Sequence, residues 1–295
     1  MPNLELVPLK DISPFRRVAI GTWRTTHDPS VYGSLDIRME KALAYMDAFR
    51  NRTGKHLTVT HMVTKAVADA LGACPEANAI LRFNRIYLRK SVDLSILVVQ
   101  TDLGEGKTDL AACKVNEADR KSLYELVTEI EEQVARVRQR KDLAMEKSKA
   151  TTNRIPLLFI NWFLDLLSFF LYTLNLDLRF LGIPRDPFGS ATVTNVGSLG
   201  LDTAYVPLVP YSRVPIFVAP GAIKDQPVVE NGQVVPGKVM RINATFDHRF
   251  IDGFHAGRLA RQLREMLEDP FGRFDAIESL PTGNADGEQD LPAES

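Results

Sequence analysis

The stretch TFDHRFIDGFHAG, residues 245–257, holds a histidine four positions before an aspartate, with a glycine directly after that aspartate. An imidazole with a pKa near ~6.5 can take up and return a proton at neutral pH. His248 follows KVMRINATF, which predicts a strand. That places the ring at a strand–loop junction, where a side chain is held rigidly and still reaches a cleft. The ordinary alternative is a histidine satisfied by a backbone carbonyl at a strand end. If Asp252 is buried, it needs a cationic or hydrogen-bonding partner. Gly253 is the point where the backbone is expected to turn sharply before a helix. Asp247 and Arg249 read as structural or solvent-facing. His255 falls on the closing helix and reads as a bystander. His27, His56 and His61 have no constellation around them.

The elements that position these residues follow from pattern. VYGSLDIRM alternates as a strand. EKALAYMDAFRNRTG is a helix ending on a glycine. LTVTHMVTKAVADALGACPEAN is a second helix, capped by Thr58 or Thr60 and stopped by Pro75. IYLRKSVDLSILVVQTDLG and TDLAACKV predict strands of a hairpin or meander. Leu123, Leu126, Val127, Ile130, Val134 and Val137 form the apolar stripe of a long charged helix. SATVTNVGSLG is a strand running into a glycine-rich turn. VVENGQVV places Asn231-Gly232 for a type I′ hairpin. FHAGRLARQLREMLEDP is a helix ending at Pro270. Strands and helices in this order predict an α+β fold, with helices packed on one face of a largely antiparallel sheet.

Composition narrows the function classes. Apolar content of 45% and charge of 25% are those of a globular protein. Thirty-six basic residues face 37 acidic ones, which gives no signal for nucleic acid. Cys74 and Cys113 have neither metal-ligand nor CxxC spacing, as in a reduced cytosolic protein. No metal site, P-loop or GxGxxG is read, and the N-terminus predicts no signal peptide. The expected location is cytoplasmic. Residues 1–280 read as a single domain, and residues 281–295 as an acidic disordered tail.

The HxxxDG motif, preceded by Asp247, resembles the acyltransferase (E2) subunits of 2-oxo acid dehydrogenase complexes, whose catalytic fold is shared with chloramphenicol acetyltransferases. TVTNVGSLG and PIFVAPGAIKDQPVVENGQVVPGKVMRINATFDHRFIDG follow that pattern. ISPFRRVAI, VTHMVTKAVADALGACPEANAIL and NEADRKSLYELVTEIEEQVARVR match upstream, so the likeness covers about residues 10–143 and 190–270. The resemblance implies a chloramphenicol-acetyltransferase-like α+β fold. It also implies an enzyme that moves an acyl group between a coenzyme A or lipoyl-type thioester and an acceptor. His248 would be the general base. Thr194 would stabilise the oxyanion where the family has a serine, with Asn195 and Gly197 in the turn beyond it. Asp252 would form a salt bridge to Arg17, or alternatively Arg16. The family's site lies between subunits of a homotrimer. Coenzyme A is a substrate there, not a resident group.

Two departures stand out. The catalytic pattern begins at about residue 10 and no lipoylation hairpin is present, so the acyl group is expected to arrive on a separate lipoyl or acyl carrier protein, or on a free thiol. About residues 144–189 form an apolar helical insertion. Asn161, Asp165, Ser168, Tyr172 and Asn175 recur at steps of four, three, four and three, one polar stripe on an otherwise apolar cylinder. A basic cluster from Arg136 to Arg154 precedes it. The insertion is expected to pack in an oligomer core with its stripe meeting symmetry mates, to lie on or in a membrane through residues 155–184, or to line an enlarged acyl pocket. A simple span would set Asp165 near mid-bilayer at a cost of about 3 kcal/mol. The rival to the enzyme reading is an idle E2-like scaffold or a membrane-associated assembly protein.

Overall fold

The computed structural model describes residues 2–8, 29–100, 109–138, 156 and 159–282. Arg16, Arg17, His27, the basic residues between 140 and 154, and nearly all of the acidic tail lie outside them. Strand β1 (Leu6–Pro8) is followed by β2 (Ser30–Arg38), α1 (Glu40–Thr53) and α2 (Val59–Ala73). Next come β3 (Ala79–Arg82), β4 (Arg85–Arg89), β5 (Leu94–Gln100), β6 (Asp109–Val115) and α3 (Leu123–Arg138). The insertion supplies α4 (Ile160–Ser168), a π-turn (Phe169–Thr173) and a 3-10 turn (Arg179–Leu181). The chain closes with β7 (Ala191–Thr194), β8 (Ile216–Glu230), β9 (Gln233–Asp247), α5 (Gly253–Glu268) and the short α6 (Pro270–Arg273).

Local signals account for most boundaries. Gly54 ends α1 in the left-handed conformation, φ 71°, and its N–H donates to Arg50 O. Thr58 is the cap of α2, and Pro75 lies two residues beyond the end of that helix. Asn231 and Gly232 both have positive φ, 50° and 79°, as the β8–β9 type I′ turn requires. The predicted IYLRKSVDLSILVV strand is divided. β4 pairs with β1 and β3 in a three-stranded sheet, while β5 joins the main sheet. The division falls at Ser91–Asp93. There the Asp93 carboxylate accepts the Glu117 N–H at 3.0 Å and faces Lys114 Nζ at 3.0 Å, so the chain is held by a side chain instead of a ladder.

The main sheet has the order β2-β9-β8-β7-β5-β6. β7 is parallel to both its neighbours, and the other pairs are antiparallel. Side chains alternate across it. Ile96, Ala191, Val193, Ile216, Val218 and Ile242 belong to the core that α1, α2, α3 and α5 complete on one face. Thr192, Asn243 and Thr245, at the alternate positions, are buried on the other face. Asn243 Nδ2 donates to Asp202 O at 3.0 Å there, which fixes the segment that covers that face.

The insertion packs on its own chain. Its polar stripe is divided: Asn161 and Asp165 are exposed, while Ser168, Tyr172 and Asn175 are buried. Asn175 bonds the Leu4 backbone through both ends of its amide, and Asn3 Nδ2 donates to Leu171 O at 2.9 Å. Leu171 and Tyr172 form a second apolar cluster with Leu4 and Ile80. The buried polar groups of the stripe that find partners do so within the same chain: Asn175 on the Leu4 backbone and Ser168 on the Arg213 side chain. Beyond it, Arg89 Nη1 meets Asp186 Oδ2 at 2.6 Å, and the two side chains are 4% and 5% exposed. Lys114 Nζ donates to Asp186 O at 2.8 Å.

A buried pair of this kind is costly to break, because the survivor is left desolvated. Asp186→Ala is expected to destabilise the protein by about 3 kcal/mol or more, read as a lower midpoint in urea denaturation. An unchanged midpoint would refute that role for the pair.

Candidate functional site

β9 delivers His248 into a turn that is pinned from several sides. The Asp247 N–H donates to Pro215 O at 2.9 Å and the His248 N–H to Pro29 O at 3.0 Å. Asp247 is 4% exposed. Its carboxylate takes the Arg249 backbone N–H at 3.0 Å and both faces of the Arg249 guanidinium fork, Nε at 2.9 Å and Nη2 at 2.5 Å. Phe250 and Ile251 are 2% and 1% exposed and anchor the turn in the main core. The half-buried His248 thus rides between a bidentate ion pair and two core anchors. Asp247 and Arg249 are structural, as their positions implied.

Asp252 caps α5. Its Oδ1 accepts the N–H groups of Phe254 at 3.0 Å and His255 at 3.2 Å, and lies 2.5 Å from His255 Nδ1. His255 is 8% exposed. The expected ion pair to Arg17 falls outside the described residues, whereas His255, read as a bystander, is a described partner of Asp252. The signal for it was an aspartate directly before a helix, the usual N-cap residue. Gly253 is the first residue of α5. Its φ is not positive, and a Cβ there would meet nothing within 4 Å. The capping carboxylate makes the sharp entry to α5, not glycine freedom.

Thr194 ends β7, half-buried, on the same face as Thr192. The turn beyond it is tied to the start of α2, where Asn195 Nδ2 donates to Thr60 Oγ1 at 3.0 Å. Gly197 packs on β8 so closely that a Cβ would stand 2.4 Å from the Gly221 backbone. The structure keeps Thr194 and His248 apart. Val193 is level with Val218, which pairs with Ala244, so Thr194 is level with Asn243, two strands from β9 and five residues before His248. That is about 17 Å along the strands and about 10 Å across them. No single copy brings the hydroxyl to the imidazole.

A cleft beside the His248 turn is lined by Pro29, Ser30, Val209, Arg213, Asp247 and Arg249. Arg213 was not singled out in the sequence. Its φ of 55° and its place in an irregular segment left no pattern to read. Its Nε donates to Ser168 Oγ at 3.0 Å, which ties α4 to this cleft. Burial lowers its guanidinium from the ordinary value, and the neighbouring Arg249 adds to the effect. Among the described residues no cluster of three His, Cys, Asp or Glu side chains converges on a metal position.

The chain belongs to the 2-oxoacid dehydrogenases acyltransferase (catalytic domain) family, which matches residues 10–154 and 188–273. The unmatched residues between those spans are the core of the insertion. The lipoamide acyltransferase component of the branched-chain alpha-keto acid dehydrogenase complex of Bacillus subtilis is 22% identical over 247 residues, 82% of this chain and 47% of that protein. The chain thus spans about half the length of that relative. Among solved structures, the fold matches Azotobacter vinelandii dihydrolipoamide acetyltransferase at TM-score 0.60 and 19% identity, over 90% of this chain and 93% of that one. The cubic core of the pyruvate dehydrogenase multienzyme complex matches with the same values. The mixed sheet with helices on one face is therefore the E2 catalytic fold.

His56 is exposed. His61 is structural: its N–H donates to Thr58 Oγ1 and its Nδ1 accepts the Thr58 N–H, both at 3.3 Å, one residue from the Thr60 contact with the Thr194 turn. Burial lowers its pKa from 6.5 to about 4. The folded protein keeps this ring neutral, while the unfolded chain protonates it. The stability it contributes is complete above pH 6.5 and is lost as pH falls toward 4. His61→Asn is expected to flatten the decline of the urea midpoint across that window. An unchanged slope would exclude His61 as its source.

Proposed function

We propose that this chain is an acyltransferase that moves an acyl group between a coenzyme A or lipoyl-type thioester and a thiol, with His248 as general base. Three things support the reading. The chain belongs to the acyltransferase catalytic-domain family, its matched residues include both His248 and Thr194, and the imidazole sits on a pinned turn beside a cleft. The Azotobacter vinelandii enzyme has been investigated for a serine, a histidine and an asparagine in its catalytic mechanism, the last two four positions apart, as His248 and Asp252 are here. Asp252 positions the start of α5 and does not carry the proton.

In the proposed step His248 removes the proton from the acceptor thiol, and the thiolate attacks the thioester carbonyl. A new carbon–sulfur bond forms and the carbonyl electrons move to oxygen. The oxyanion collapses, the original carbon–sulfur bond breaks, and the leaving thiolate takes the proton back from the imidazolium. The Thr194 hydroxyl would donate to the oxyanion. The observation that carries the reading furthest is the separation of Thr194 from His248 in one copy. If both groups act on one carbonyl, that separation calls for a site shared between copies, with the hydroxyl of one facing the imidazole of the next, and so for a self-assembled enzyme. The acyl carrier would be a separate protein or a free thiol.

His248→Ala is expected to lower acyl transfer to a dithiol acceptor by roughly 10²–10⁴-fold while the assembly state by sedimentation is unchanged. Thr194→Ala should also be nearly inactive. Unfolding and refolding the two variants together should restore about a quarter of wild-type activity, because random mixing of symmetric copies rebuilds that share of sites. Full activity in His248→Ala would sink the base assignment. Absence of coenzyme A binding by calorimetry would favour the idle scaffold.

A further inference from the structure

A helix on a protein surface normally turns its apolar stripe inward. α4 does the reverse. Ser168 and Tyr172 are 3% and 1% exposed on the protein side. On the opposite side Phe159, Trp162, Leu166 and Phe169, at steps of three, four and three, are 56%, 77%, 46% and 42% exposed. The 3-10 turn of the same insertion also exposes apolar side chains, Phe180 at 80% and Leu181 at 63%. This orientation is fixed, because the Ser168–Arg213, Asn175–Leu4 and Asp186–Arg89 contacts all hold the segment to the body of the protein.

The candidate occupants of such a face are a second copy and a lipid surface, and charge separates them. The sequence from Arg136 to Arg154, which leads into α4, carries seven Lys and Arg against two acidic residues. A second copy would bring only the same net-positive run, joined in sequence to the start of α4, and so no complementary charge. An anionic bilayer supplies the opposite charge together with an apolar phase, and Trp and Phe suit that boundary. α4 and its π-turn together span 14 residues, or about 21 Å, short of the ~30 Å hydrocarbon core. No helix among the described residues is long and apolar enough to cross a membrane.

We propose that the exposed apolar side chains of the insertion, Trp162 on α4 and Phe180 on the 3-10 turn foremost, dock the protein on an anionic membrane surface without crossing it. The test is flotation of the full chain with phosphatidylcholine vesicles and with phosphatidylcholine–phosphatidylglycerol vesicles. Wild type is expected to float with the anionic vesicles, more weakly with the neutral ones, and to be released as salt is raised. The double variant Trp162→Ser, Phe180→Ser changes only exposed side chains, so its thermal unfolding should match wild type. Its binding should fall by about tenfold or more. Wild type that ignores anionic vesicles overturns the proposal, as does a variant that binds equally well. So does a variant whose only change is a smaller assembly in sedimentation, which would assign the face to a second copy.

Discussion

Because β7 runs parallel to β8 while β9 returns antiparallel to it, a residue at the end of β7 and a residue at the end of β9 leave the sheet in opposite directions. This one constraint decides how Thr194 and His248 can be used. The ladder on each side of β8 sets the register, and a slip of one residue would move Thr192, Asn243 and Thr245 onto the helix-packed face and expel Val193 and Ile242 from the core. The separation of hydroxyl and imidazole is thus as well determined as the hydrophobic core itself. A chemistry that needs both groups within hydrogen-bond reach follows only from assembly.

The same logic explains why the two ends of the sheet are built differently. The β9 end is a turn tied by Asp247, Arg249 and two core anchors. The β7 end is fixed by close backbone approach, Gly197 on Gly221, and by the Asn195–Thr60 bond to α2. Both ends are thereby held before anything binds, the condition under which least rotational freedom is lost on binding.

Much of this was legible in the sequence, for identifiable reasons. Helix ends at Gly54 and before Pro75, the Asn231-Gly232 turn and the stripe of α3 are local rules acting locally. His248 was expected just past a strand end and Thr194 on a strand before a glycine-rich turn, and both stand there, at the ends of β9 and β7. What escaped was non-local. The division between β4 and β5 depends on Asp93 meeting a backbone amide 24 residues on and on Lys114. Arg213 acquires its place from Ser168, 45 residues earlier. His255 was undervalued because a helix position two turns from His248 gave no hint that the capping carboxylate between them would reach it. Gly253 was overvalued, since an aspartate cap does the work assigned to glycine.

The insertion shows where periodicity stops being informative. A step of four and three marks a polar stripe on a helix, but not which way the stripe faces. Polar residues were expected to meet a partner, and two of the five, Ser168 and Asn175, do. Their partners are the Leu4 backbone and the Arg213 side chain, which no local rule could supply. Once those contacts take the polar side, the apolar side has only the outside left. An α-helix of nine residues buries too little by itself to choose an orientation. The Arg89–Asp186 pair and the Asn175 amide choose it by making the reverse orientation leave buried polar groups unsatisfied, a cost of about 1–3 kcal/mol for each neutral group and more for a charge. The exposed apolar face is therefore a consequence of polar bonding on the other side of the same helix.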